Sequence, residues 1–142
     1  MSTVFAKLNL KDHKQIVVLD PPGSFERQLT ALKGVEVVRD LKKATEVRFS
    51  LAFVTAPEQV DALAPAIARK AEGDAIIWFA YPKKTSKRYT AQIDRDHGWN
   101  VLGREGFEPV RMVAIDEDWS AKRYRRASFI KNMTREIGRA HV

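Results

Sequence analysis

The sequence predicts a single α/β domain of three layers, with a mostly parallel sheet and a C-terminal antiparallel hairpin. Three observations carry this. Short apolar runs alternate with segments of helical periodicity, the pattern of a sheet covered by helices on both faces. The run Ala75-Ile76-Ile77-Trp78-Phe79-Ala80-Tyr81 has no polar interruption and fits a strand buried on both sides. The last long apolar run, 107–115, is followed by Asp116-Glu117-Asp118 and a second extended stretch, which fits a hairpin.

Along the chain, residues 1–14 are mixed and polar and are expected to be a loose lead-in. Gln15 to Asp20 is a strand, broken by Pro21-Pro22-Gly23. Ser24 is placed to cap a helix to about Leu32, with Phe25, Leu29 and Leu32 on one face, and Gly34 stops it. Val35 to Val38 and Glu46 to Val54 are the next two strands. Thr55 as N-cap, Pro57 in the first turn and Glu58 three residues after Thr55 open a helix to about Ala71. Its apolar stripe is Val60, Leu63, Ile67 and Ala71, and Gly73 ends it. After the Trp78 strand a basic loop, 82–90, leads to a helix over about 92–105 that Gly106 closes. Strands over 107–115 and 119–125 form the hairpin, and 128–139 has the pattern of a weak terminal helix, so that the tail 128–142 is helical or disordered. There is no repeat, low-complexity segment or linker, so residues 1–142 are one domain.

Composition narrows the function classes. The 142 residues are 44% hydrophobic and 30% charged, an ordinary globular balance. With no cysteine there is no disulfide framework, thiolate nucleophile or Cys-based zinc site. No apolar run approaches the roughly 20 residues of a membrane span, and no signal-peptide pattern opens the chain, so a cytoplasmic protein without membrane contact is expected. The net charge of +7 is uneven. Residues 1–80 carry 11 Lys/Arg against 10 Asp/Glu, and residues 81–142 carry 14 against 8. A basic second half suits a nucleic acid, a phosphorylated small molecule or an acidic protein partner, although it also serves solubility alone.

The cations are concentrated in two places. Lys83, Lys84, Lys87 and Arg88, with Ser86 among them, emerge just after the Trp78 strand, at the end where α/β sheets bind ligands. Lys122, Arg123, Arg125 and Arg126 lie on the last strand. There, period two puts Arg123 and Arg125 on one face and Lys122, Tyr124 and Arg126 on the other. Arg123 and Arg125 next to the loop would add bidentate phosphate contacts. The competing reading of this strand is a charged sheet edge that resists pairing. Tyr81, Arg95, Asp96 and Trp119 are candidate supporting residues. Tyr81 is a stacking platform, Arg95 and Asp96 are acid-base groups beside His97, and Trp119 is more simply core. The three histidines, at 13, 97 and 141, are not spaced as ligands, so no metal is expected. Asp116-Glu117-Asp118 is a turn, with Asp116 or Asp118 expected to pair with Arg95 or Arg123.

The segments Ile77-Trp78-Phe79-Ala80-Tyr81-Pro82-Lys83-Lys84-Thr85-Ser86-Lys87, Arg95-Asp96-His97-Gly98-Trp99 and Val113 to Arg125 resemble a family of small bacterial proteins of unknown function, related to the DUF3052 group. The resemblance covers residues 51–125, roughly half the chain, and implies a fold without a known activity. The element order, ending in an antiparallel hairpin, is similar to a trimmed Rossmann-like methyltransferase fold. That likeness implies an S-adenosylmethionine loop after the first strand. Here the turn is Asp20-Pro21-Pro22-Gly23-Ser24, with one glycine where several are expected, and Asp40 is the only acid near the end of the second strand. Asp20-Pro21-Pro22 is also similar to the Asp-Pro-Pro-aromatic motif of amino-group methyltransferases, but Gly23 holds the aromatic place. Gly23-Ser24 lacks the Lys-Ser/Thr of a phosphate loop. The sequence therefore favours a non-enzymatic domain, without cofactor, that binds an anionic partner through 83–88 and 122–126. A degenerate S-adenosylmethionine-dependent methyltransferase-like protein is the second reading, and a protein-interaction module the third.

Overall fold

The computed structural model describes residues 3–130. One sheet is built from β1 (Gln15–Leu19), β2 (Glu36–Val38), β3 (Val47–Phe53), β4 (Ala71–Pro82), β5 (Phe107–Ala114) and β6 (Trp119–Arg126). Four helices, α1 (Thr3–Lys7), α2 (Glu26–Thr30), α3 (Pro57–Lys70) and α4 (Asn100–Arg104), cover it. The strand order is β2-β1-β3-β4-β6-β5. The first four strands are parallel, and β6 runs antiparallel to both its neighbours. The chain leaves β1 toward β2 on one side and occupies β3 on the other, so the order reverses at β1. A crevice outside the carboxyl ends of the strands is expected at such a switch point.

Period two sorts the strands between two cores. Val17, Leu19, Ala52, Ile77, Phe79 and Tyr124 face α3 and α4, while Ile16, Val18, Phe49, Leu51, Trp78 and Ala121 face α1 and α2. Trp78, Phe49, Phe79 and Leu51 are fully buried, as the uninterrupted apolar run of β4 requires.

Several expectations are corrected. The lead-in is not loose: Val4, Phe5, Leu8 and Leu10 are buried against the sheet, and the buried Trp78 Nε1 donates to the Leu8 carbonyl at 2.8 Å. Ser24 caps nothing and lies inside a 3₁₀ turn, Gly23–Phe25, that precedes α2. The cap of α3 is shifted by one residue. Ala56 is the N-cap, and the Gln59 Oε1 accepts from the amides of Thr55 and Ala56, so Gln59 rather than Glu58 closes the helix end. Gly73, at φ +60°, sits within β4 and not at the helix end. There the register of β3 and β4 jumps from Val47–Ala71 to Phe49–Ile76, a bulge that needs the left-handed conformation. The helix foreseen over 92–105 is only α4. Asp94 Oδ1 instead accepts the amides of Asp96 and His97, a side-chain bond that competes with helical pairing. Finally, β6 is interior and the edge on its side of the sheet is β5, where Pro109 adjoins a register shift. The expected terminal helix begins at 127–130, and its remainder lies outside the described residues. No helix among the described residues is long and apolar enough to cross a membrane.

Candidate functional site

Two cavities open along the carboxyl edge of the parallel strands. The first, about 450 Å³, lies at the ends of β1 and β2 against α3. Leu19, Leu41 and Leu63 supply apolar wall, and the charged lining is two acids, Asp20 and Asp40, with four cations, Arg39, Lys42, Arg69 and Lys70. Asp20 adopts φ +54°, the left-handed region that L side chains seldom occupy, immediately after β1. Asp40 follows β2 by two residues, and its Oδ1 accepts the Lys42 amide at 3.0 Å, closing the 3₁₀ turn Leu41–Lys43. The Lys70 ammonium, at the end of α3, donates to the carbonyls of Leu41 at 2.6 Å and Ala44 at 2.7 Å. It thereby fastens that turn to the helix. Arg39 is engaged elsewhere, in a two-pronged bond to Glu26 at 2.7 and 2.8 Å.

The second cavity, about 370 Å³, follows β4 and is bounded by the basic loop. The loop is tied at both ends. The Lys83 amide donates to the Asp118 carbonyl at 2.8 Å, and the Ser86 hydroxyl donates to Asp118 Oδ1 at 2.9 Å. Further on, the Gln92 amide donates to the Thr55 carbonyl at 2.8 Å, at the end of β3. Tyr89 packs on Trp119, ring centroids 5.0 Å apart.

The sequence-predicted anion residues do not form one surface. Lys83, Lys84 and Ser86 line the second cavity. Lys87 and Arg88 line a separate one, of about 390 Å³, together with Glu117 and Asp118. Arg123 and Arg125 are carried to the other end of the sheet, because β6 is antiparallel to β4: Trp119 pairs with Pro82, but Arg123 pairs with Trp78. From Trp119 to Arg125 is about 20 Å of strand. Arg125 clasps Asp74 at 2.6 and 2.8 Å. Arg123 is half-buried, its Nε has no hydrogen-bond partner, and burial lowers its pKa, against the Asp74 carboxylate, which raises it, and with Arg125 and Arg111 lowering it further. A half-buried guanidinium on an interior strand has little reach toward a ligand at the loop.

The supporting residues also move. Tyr81 is buried and its pKa is raised by burial. Trp119 is core, packed edge-on against Phe53. Arg95 and Asp96 pair with each other at 3.3 Å on the surface. Asp94, and not Asp96, meets His97, at 2.8 Å. That hydrogen bond, with the Asp96 amide after it, holds the Asp94 carboxyl at about 2. Neither Asp116 nor Asp118 pairs with Arg95 or Arg123. Asp116 Oδ1 takes the amides of Asp118 and Trp119 and shapes the hairpin turn. Lys122, grouped by sequence with the surface cations, is buried: its ammonium lies 5.2 Å from the Trp99 ring and 5.6 Å from the Tyr124 ring and donates to the Arg95 carbonyl. Burial lowers its pKa.

Sequence reasoning missed Leu41, Arg69 and Lys70 as neighbours of the first cavity. Leu63 is on the helix stripe that the sequence shows, and Asp40 is the acid it places near the end of the second strand.

No family model matches the chain, and no curated protein matches its sequence. Solved structures share the fold. An S-adenosylmethionine-dependent methyltransferase from Aquifex aeolicus is similar with TM-score 0.54 and 16% identity, covering 87% of each chain. Magnesium protoporphyrin IX methyltransferase from Synechocystis, solved with bound S-adenosylmethionine, gives 0.52 at 11% identity over 87% of this chain and 74% of that one. A fibrillarin pre-rRNA processing protein from Methanococcus jannaschii gives 0.53 at 12% identity over 82% and 67%. The fold is thus the Rossmann-like one found in methyltransferases.

Proposed function

We propose that this protein is methyltransferase-like and binds S-adenosylmethionine in the cavity at the ends of β1 and β2. The observation that carries the reading is the pair of carboxylates, Asp20 and Asp40, lining one 450 Å³ cavity beside the carboxyl ends of β1 and β2. Carboxylates at that place suit a ribose diol. Leu19, Leu41 and Leu63 offer apolar wall for a base, and Arg69 suits an amino-acid carboxylate. The left-handed Asp20 is backbone strain placed at a ligand-binding edge, where such strain tends to cluster.

The residues fit with two departures. Four cations line the cavity against two carboxylates, although Arg39 is held by Glu26 and Lys70 by the carbonyls of Leu41 and Ala44. Pro21 and Pro22 have no backbone N–H, so the turn after β1 cannot cradle a pyrophosphate as a glycine-rich turn does. This counts against a dinucleotide and much less against S-adenosylmethionine, which carries no phosphate. Bound there, such a cofactor would supply a methyl group on a cationic sulfur for a nucleophilic acceptor. The likeness in fold to methyltransferases favours this reading over that of a cofactor-free binding domain.

Thermal unfolding with S-adenosylmethionine and S-adenosylhomocysteine tests it. A ligand at a hundred times its dissociation constant stabilises by about 2.7 kcal/mol. Asp40→Asn retains the acceptor oxygen for the Lys42 amide but removes the charge, and is expected to leave the unliganded Tm within a degree or two while reducing the ligand shift. No shift of the native protein at millimolar ligand overturns the proposal.

A further inference from the structure

We propose that the cavity bounded by residues 83–94 is a separate site for the phosphate group of a small molecule. It stands whether or not the Asp20–Asp40 cavity takes S-adenosylmethionine. Its lining brings together two cations, Lys83 and Lys84, with the residues Thr90 and Gln92, whose side-chain hydroxyl and amide can donate, in about 370 Å³, while the Ser86 hydroxyl is already given to Asp118 Oδ1. A phosphate dianion presents several oxygens and two charges, and this donor set matches both. Among the described residues no carboxylate is within ion-pair distance of the Lys83 ammonium. Asp94 is the acid in the lining, and it is already held by His97 at 2.8 Å and by two backbone amides. Its pairing with Lys84 is long, 3.7 Å, and Lys84 is 83% exposed, so that ammonium is available.

The loop is preorganised for this. Bonds to Asp118 at one end and to Thr55 at the other, with Tyr89 seated on Trp119, hold the loop backbone that carries the lysines before any ligand arrives. The same geometry selects a small ligand over a nucleic acid. Lys87 and Arg88 share their cavity with Glu117 and Asp118, and Arg123 and Arg125 are at the opposite end of β6, so no continuous track of cations leads away from the loop.

The test is a titration of the isotope-labelled full chain with inorganic phosphate, followed by amide NMR without S-adenosylmethionine, against sodium chloride at matched ionic strength. Saturable shifts are expected at the amides of residues 83–92. Lys83→Ala with Lys84→Ala is expected to weaken phosphate binding at least tenfold, Lys83→Arg to retain it within threefold, and Arg123→Ala to leave it within twofold. Unchanged spectra outside the loop establish that each variant is folded. Phosphate shifts no larger than those with chloride, or a double variant that binds like the native protein, overturn the proposal. Binding of a single-stranded RNA 20-mer that perturbs Arg111, Arg123 and Arg125 and outcompetes phosphate overturns it in favour of a nucleic-acid surface. Because no S-adenosylmethionine is present, failure here is separate from failure of the cofactor reading.

Discussion

Lys70→Met should loosen the wall of the first cavity and weaken its ligand in proportion. Lys70 is half-buried at the last turn of α3, and its ammonium donates to two carbonyls, Leu41 and Ala44, at 2.6 and 2.7 Å. Those carbonyls flank the 3₁₀ turn that carries Leu41 and Lys42 into the cavity. Methionine keeps the aliphatic stem, so packing on α3 is preserved and the charged donor alone is lost. A hydrogen bond from a charged group contributes about 1.5–3 kcal/mol net when buried. Here water reaches part of the site, and the two carbonyls can be rehydrated, so a total of about 2 kcal/mol is the expected loss. For a domain near this length that corresponds to a fall in Tm of about 4–8 °C. Denaturant unfolding should show a lower midpoint at unchanged m, since the surface exposed on unfolding is the same. The stabilisation by S-adenosylmethionine should shrink as well, because binding must then order the turn. A midpoint equal to that of the native protein, with full ligand stabilisation, would refute the view that Lys70 fastens the turn.

Trp78→Phe removes the indole donor from the Leu8 carbonyl and empties volume in a fully buried site, so a loss of about 2–4 kcal/mol in chemical denaturation is expected. An unchanged stability would mean that the N-terminal segment is not docked as described. Gly98 has φ +103°, and a Cβ there would meet the Ile93 side chain at 2.3 Å. Gly98→Ala should therefore cost about 2–4 kcal/mol and broaden NMR signals over 93–99. His13 has its pKa lowered by burial, against Asp12, which raises it, and with Arg48 lowering it further, and its Nδ1 accepts the Lys11 amide at 3.2 Å. The folded state therefore binds fewer protons than the unfolded state. This contribution to stability is complete above pH 6.5 and is lost as pH falls through the lowered folded value. Tm measured from pH 5 to 8 should rise with pH, and His13→Phe should flatten that part of the curve.

The layers and strands were legible because burial writes itself into period. The seven apolar residues of β4 need two covered faces, and the alternation of β6 placed Arg123 and Arg125 opposite Lys122 and Tyr124, as found. Three things were not legible. The position of β6 between β4 and β5 is a matter of long-range pairing, which local pattern does not encode, and it decides that Lys122 is buried and that Arg123 is far from Lys83. The loop at 94–99 has helical spacing, but Asp94 satisfies the amides that a helix would have used. The docking of residues 3–10 depends on Trp78, 70 positions away from Leu8.

The cavity proposed for S-adenosylmethionine is walled by the least braced part of the sheet. β2 is a three-residue edge strand, and the connection from it to β3 contains only the 3₁₀ turn held by Asp40 and Lys70. Its partner β1 is anchored on both sides, and α3 has fourteen residues with Val60, Ala64 and Ile67 buried. A ligand that bridges Asp20 and Asp40 would therefore join a rigid element to a mobile one, and most of its effect should be local. Amide exchange at 38–44 should slow by far more than exchange in β3 or β4, because opening of a frayed edge costs less than global unfolding. Uniform protection across the sheet would instead place the ligand on the central strands, away from β2, and would remove Asp40 from its contacts.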